Sequence, residues 1–151
     1  MKSIGLSIVM CLATVLFTGC ASLPLVEERV PTVAIENTSG TTLGRVIDPL
    51  VDEHPGLSGF YVLKEGIEAY AARLLLVQNA DKSLDLQYYI WKDDLTGKTL
   101  LTQVLAAADR GVRVRLLLDD LDTTNEDDLL HVLNAHPNIE IRLFNPFANR
   151  G

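Results

Sequence analysis

From about Glu65 to Phe144 the chain alternates between two hydrophobic periods, and this limits its possible folds more than any other feature. Ile67, Tyr70, Ala71, Leu74 and Leu75 recur three and four apart, so residues 65–80 are expected to form an amphipathic helix. In "SLDLQYYIW", Leu84, Leu86, Tyr88 and Ile90 alternate with Asp85, Gln87 and Tyr89, which is the period of a strand. Thr96 is the expected N-cap of a second helix, with Leu100, Leu101, Val104, Leu105 and Ala108 on its buried face and Gly111 ending it. "VRVRLLLDD" reads as a second strand. Thr123, followed three residues later by Glu126, predicts a capping box, with Leu129, Leu130 and Leu133 buried behind it. Pro137 stops this third helix, and "NIEIRLF" is the third strand. Strands separated by single helices pair in parallel through right-handed crossovers, so the order α-β-α-β-α-β predicts an α/β sandwich with a mostly parallel sheet. Three strands leave both edges of such a sheet open, and further strands would complete it.

Gly97-Lys98-Thr99 has the look of the end of a phosphate-binding P-loop. The full motif needs a glycine five positions earlier, because consecutive backbone N–H groups must wrap the phosphates. Lys92 stands there, and Asp93 and Asp94 between them would repel a polyphosphate, so no nucleotide site is expected. A formal charge of −7 likewise disfavours nucleic acid as a partner. With 48% hydrophobic and 22% charged residues, the composition is that of a globular chain.

The N-terminus belongs to a different category. Lys2 precedes "IGLSIVMCLATVLF", an apolar run of 14 residues that is short for a bilayer span and suits a secretory signal peptide. "LFTGCAS" resembles a bacterial lipobox, in which the cysteine after a small residue receives lipid and becomes the new N-terminus; Cys20 would be that residue. Phe17 departs from the usual leucine two places before Gly19, and Leu16 sits one position earlier. Ala21 rather than Asp after the cysteine implies the periplasmic face of a Gram-negative outer membrane. The expected organisation is thus a lipoprotein signal peptide at residues 1–19, a lipid-anchored tether and lead-in at 20–55, and an α/β domain over 56–151. "SLPLVEERVPTVAIENTSGTTLG" and "DEHPGLSGF" show no sustained helical or strand period, so residues 21–60 are expected to be irregular. Cys11 would leave with the signal, and no disulfide is expected.

In a parallel α/β sheet, ligands gather at the carboxyl ends of strands. Two acidic loops leave such ends, "WKDDLTG" and "DDLDTTN". Asp93, Asp94, Asp119, Asp120 and Asp122 have two readings there. They are helix-start caps stabilised by the helix dipole, or Asp119 and Asp120 are metal ligands or catalytic carboxylates. The dipole argument favours capping. Tyr88, Tyr89 and Trp91 read as core. His54 reads as a solvated loop residue and His131 as a helix residue, partly buried or solvated. His136 suits a helix C-terminus. No histidine has a metal-ligand partner at useful spacing; Arg113 and Arg115 share a strand face, and the sequence gives little support for a phosphate role for them or for Arg150.

"LDLQYYIWKDDLTGKTLLTQVLAAADRGVRVRLLLDDLD", followed by "HPNIEIRLFNPFANRG", resembles the N-terminal half of a phospholipase D superfamily enzyme. More narrowly, it resembles the bacterial cardiolipin synthase group that includes the C-type enzymes, over about residues 56–151. The resemblance implies phospholipid substrates and chemistry by two copies of H-x-K-x-x-x-x-D. One histidine attacks phosphorus, the other protonates the leaving alcohol, and the lysines hold the phosphoryl oxygens. It implies no metal or other cofactor. His54 is followed by Pro-Gly, His131 by Val-Leu and His136 by Pro-Asn, so neither copy is present and no catalytic residue is assigned. The expectation is the N-terminal portion of an exported, lipid-anchored phosphatidyltransferase or phospholipase, inactive by itself. The alternatives are a small periplasmic lipoprotein acting as a binding module and, from Asp119 and Asp120, a receiver-like phospho-acceptor domain.

Overall fold

The computed structural model describes residues 31–123 and 126–147. Residues 1–19, expected to be a signal peptide and including Cys11, lie outside the described residues, as do Cys20 and Arg150. The described elements are α1 (Thr42–Asp52), α2 (Gly66–Gln78), β1 (Ser83–Tyr88), α3 (Leu95–Asp109), β2 (Arg113–Asp119), a 3-10 turn (Asp120–Asp122), α4 (Asp127–Asn134) and β3 (Ile139–Phe144). The strands form one sheet in the order β1-β2-β3, and both pairings are parallel. This is the α/β alternation expected from residue 65 onward.

Register explains the core. Leu84, Val114 and Ile139 lie abreast, as do Leu86, Leu116 and Ile141, then Tyr88, Leu118 and Leu143. Successive strand residues point to opposite faces, so these nine share one face. Onto it pack Val77 and Tyr70 of α2, Leu100, Val104, Ala107 and Ala108 of α3, and Leu133 of α4. Ala107 and Ala108 are fully buried, and their small side chains allow α3 to approach the sheet closely.

The opposite face is charged. Asp85, Arg115 and Glu140 lie abreast on it, followed by Gln87, Leu117 and Arg142. The Arg115 guanidinium donates to both Asp85 carboxylate oxygens, at 2.5 and 2.7 Å, and reaches the Thr32 backbone oxygen at 2.9 Å. The arginine thereby holds the Asp85 carboxyl below the usual carboxylate range. Lys82 Nζ donates to the Asn37 carbonyl at 2.6 Å, so the lead-in chain is tied down at both points. Helices occupy one face of the sheet and this lead-in crosses the other, where a three-layer sandwich would place helices too.

Four expectations need correction. The lead-in is not irregular throughout, because residues 42–52 form α1. Thr41 caps it by accepting from Gly44 N at 2.9 Å, and Thr42 N donates to the Asp81 carboxylate. A side chain at Gly44 would strike the Thr38 carbonyl, with a Cβ only 2.2 Å from it, so this close turn requires glycine. Second, α3 is capped by Asp94 rather than Thr96. Third, no capping box forms: Thr123 closes the 3-10 turn by donating to Asp120 Oδ1 at 2.9 Å, and α4 starts at Asp127 without a side-chain cap. Fourth, α2 turns Tyr70, Leu74 and Val77 inward and leaves Ile67, Ala71 and Leu75 exposed, while Ile90 lies beyond the end of β1. Two apolar stripes compete on α2, and the one that meets α3 and the sheet is buried.

Leu116→Ala should cost about 2–5 kcal/mol, the range for emptying a packed leucine site, whereas Leu75→Ser should change stability by less than about 0.5 kcal/mol. Denaturant unfolding of the two variants checks this, and equal losses would contradict the assignment of the core face.

Candidate functional site

The carboxyl ends of β1 and β2 carry the loops in which sequence reasoning placed any chemistry. After β1, the Tyr88 and Trp91 rings meet edge to face with centroids 4.8 Å apart, and Tyr70 Oη donates to the Thr96 carbonyl at 3.0 Å. Burial raises the Tyr88 phenol above its ordinary value. These aromatics form one corner of the core, while Tyr89 is exposed.

Asp94 organises the start of α3. Its Oδ1 accepts from Thr96 N at 2.9 Å, Gly97 N at 2.9 Å and Thr96 Oγ1 at 2.6 Å. Led by the Thr96 hydroxyl, these bonds depress the Asp94 carboxyl. The first-turn amides that a phosphate would use are therefore occupied by a fixed carboxylate. Gly97 has a packing reason of its own, since a Cβ there would lie 1.9 Å from the Lys92 carbonyl oxygen and 3.3 Å from Trp91 Nε1. The Gly-Lys-Thr triplet that suggested a P-loop is thus a helix start pressed against the β1 exit. Asp93 does not cap; it pairs with Lys98 at 3.1 Å on the surface.

Asp119 and Asp120 divide two tasks at the end of β2. Asp119 Oδ1 caps the 3-10 turn by accepting from Leu121 N at 2.9 Å, and its Oδ2 lies 3.5 Å from Asn145 Nδ2. Asp120 is 1% exposed, and its Oδ2 accepts from the Phe147 amide at 2.6 Å. With Thr123 on Oδ1, the buried carboxylate joins the β2 exit to the segment after β3. Asn145 turns that segment with a positive φ of 49°. Both carboxylates therefore serve as caps and loop clamps, and no group of three or more potential metal ligands occurs among the described residues. The capping of a turn by Asp119 was legible in the sequence. The Asp120–Phe147 bond was not, because its partners are 27 positions apart.

The remaining candidates are dispersed. His136 Nδ1 accepts from Asn138 N at 3.1 Å and its Nε2 faces Asp109 Oδ1 at 3.2 Å, so the ring fastens the α4–β3 turn to the end of α3. His131 is exposed on α4, and His54 is exposed in the loop after α1. Arg115 is engaged by Asp85 and Thr32, while Arg113 Nε and Nη2 are buried without a hydrogen-bond partner among the described residues. Between α3 and α4 lies an apolar cavity of about 40 Å³, lined by Trp91, Leu101, Leu118, Leu130 and Leu133. Small-molecule pockets run to about 300–1,000 Å³, so this one is a packing gap.

Asp94 supplies a pH signature with a definite sign. Its folded-state value lies below the ordinary carboxylate value of about 3.9, so its contribution is complete above that pH and is lost as pH falls through the lower folded value. Asp94→Asn should lower the Tm at pH 7 and flatten the loss of stability below about pH 4. Thermal unfolding across pH checks this, and an unchanged acid limb would contradict the capping role. Gly97→Ala should cost about 1–3 kcal/mol through the Lys92 contact.

No protein-family model matches the chain. Cardiolipin synthase C of Escherichia coli K12 is 52% identical over 108 residues, which cover 72% of this chain and 23% of that protein. An uncharacterized protein of Helicobacter pylori J99 is 38% identical over 110 residues, or 73% of this chain and 22% of that protein. Cardiolipin synthase B of Escherichia coli K12 is 31% identical over 86 residues, covering 56% and 21% respectively. Likeness to a solved archaeal chromatin protein, TrmBL2, reaches a TM-score of 0.45 at 18% identity over 70% of this chain and 42% of that one, too low to carry an argument. The chain spans about a quarter of the length of the curated relatives it matches. By sequence, it is a cardiolipin synthase-like stretch of the phospholipase D superfamily.

Proposed function

We propose that the chain is the N-terminal portion of an exported, lipid-anchored phosphatidyltransferase of the cardiolipin synthase type. The observation that carries this is the 52% identity to cardiolipin synthase C over 108 residues. The activity of the longer protein would transfer a phosphatidyl group between phospholipids through a phosphohistidine. An imidazole nitrogen bonds to phosphorus as the leaving alcohol departs with a proton, and an acceptor alcohol then breaks the P–N bond.

The local geometry supports a scaffolding part for this stretch. Its carboxylates at the strand ends are committed to backbone amides, and His136 is committed to Asp109 and Asn138. Asp120 holds Phe147 beside the β2 exit, so residues that follow would begin at the carboxyl edge of the sheet, where parallel α/β folds gather ligands. Nucleophile, proton donor and phosphate-binding lysines would then come from sequence beyond this unit. The N-terminal pattern ending in Cys20 supports attachment to the periplasmic face of the outer membrane.

Expression in bacteria lacking cardiolipin synthases tests the reading. The coding locus with its downstream sequence should restore cardiolipin in a lipid extract, and the 151-residue chain alone should not. Cardiolipin made by the short chain would refute the scaffolding role. Its absence with the longer locus would refute the phosphatidyltransferase assignment.

A further inference from the structure

The helix α1 is short, amphipathic and unsupported along its length. Val46, Ile47, Leu50 and Val51 fall on one stripe and are 63%, 49%, 57% and 53% exposed. No other helix or strand packs extensively along α1 among the described residues; its N-terminal end is tied to Asp81. A helix of 11 residues is marginal in water without a surface on which to lay its apolar face. The stripe continues in sequence into Leu57, Phe60, Tyr61 and Val62, the last three 92%, 88% and 74% exposed. Scattered apolar side chains on a surface are ordinary, but a helix stripe followed closely in sequence by an exposed aromatic pair is more than scatter.

We infer that α1 and the Phe60–Val62 segment form a docking surface for a phospholipid bilayer, laid flat in its interfacial region. This inference rests on the lipid-anchor reading above. Cys20 lies 22 positions before Thr42, a stretch that spans at most about 80 Å when extended, so α1 can lie against the bilayer that would hold the cysteine. Phe60 and Tyr61 combine apolar bodies with, in tyrosine, a polar tip, the residue types that settle at headgroup depth. The charged residues of α1 are Arg45, Asp48 and Asp52, and the whole chain carries −7. Attraction to anionic lipid is therefore absent, and apolar insertion drives the contact. Neutral bilayers should be bound, with little dependence on salt.

Environment-sensitive dyes test this on the full chain, attached at Leu50→Cys or Phe60→Cys in a Cys11→Ser, Cys20→Ser background, with Asp128→Cys on α4 as control. Vesicles of phosphatidylethanolamine and phosphatidylcholine should blue-shift emission at positions 50 and 60, and spin-labelled lipid should quench it there but not at 128. Emission that stays aqueous at 50 and 60 would overturn the inference. So would a shift that arises without vesicles and grows with protein concentration, since the occupant would then be a second copy. Mass spectrometry of residue 20 in the membrane-isolated natural chain separates the two claims. An unacylated cysteine with a dye shift removes the anchor and leaves the docking surface, and the reverse result removes the docking surface alone.

Discussion

Everything in this unit depends on β2 burying alternate side chains on one face only. Val114, Leu116 and Leu118 are each at most 4% exposed, and each sits between a β1 and a β3 partner in parallel register. Slipping the register by one residue would turn Arg113, Arg115 and Leu117 into the core and expose the three aliphatics. Both crossover helices, α3 and α4, bury residues on the same face, which fixes the carboxyl ends of all three strands at one edge. The loops at that edge inherit their positions from this packing. Arg110 reinforces it from the other end by donating to the Val77 and Gln78 carbonyls at 3.2 Å, which satisfies the open C-terminus of α2.

Acidic side chains then serve as fasteners. Asp81 ties down α1, Asp85 holds Arg115 on the charged face, Asp94 starts α3, Asp119 starts the 3-10 turn and Asp120 grips Phe147. Four of the five accept from a backbone amide, a bond that is stronger for an ionised acceptor than for a neutral one. The burial of Asp120 is tolerable only because both oxygens have partners. The acidic loops that suggested a metal or catalytic centre are accounted for by this structural use. Through Asp120, the segment after β3 is brought to the carboxyl edge of the sheet at Phe147.

The alternation from Glu65 to Phe144 made the sheet, its parallel sense and most of its core legible, because buried strands and amphipathic helices leave distinct periods in sequence. Details set by competition between neighbours were less legible. Thr96 and Asp94 are both good caps, and the carboxylate at position 94 reaches two amides and the Thr96 hydroxyl together. Along α2 two stripes are apolar, and periodicity alone does not say which meets the sheet. α1 was hidden by Pro49 and by the Ser/Thr/Gly run before it, although its stripe of Val46, Ile47, Leu50 and Val51 has a helical period. Contacts such as Arg115 to Thr32, 83 positions apart, leave no local trace.

The carboxylates of Asp94, Asp119 and Asp120 at the strand ends hold backbone amides. Amide chemical shifts of Thr96, Gly97, Leu121 and Phe147 in the purified chain report on this directly. Titration with magnesium ions or ATP should leave all four unmoved, whereas lowering the pH should shift Thr96 and Gly97 as Asp94 protonates. Saturable movement of these amides with either ligand would contradict the account and restore a binding centre at the sheet edge.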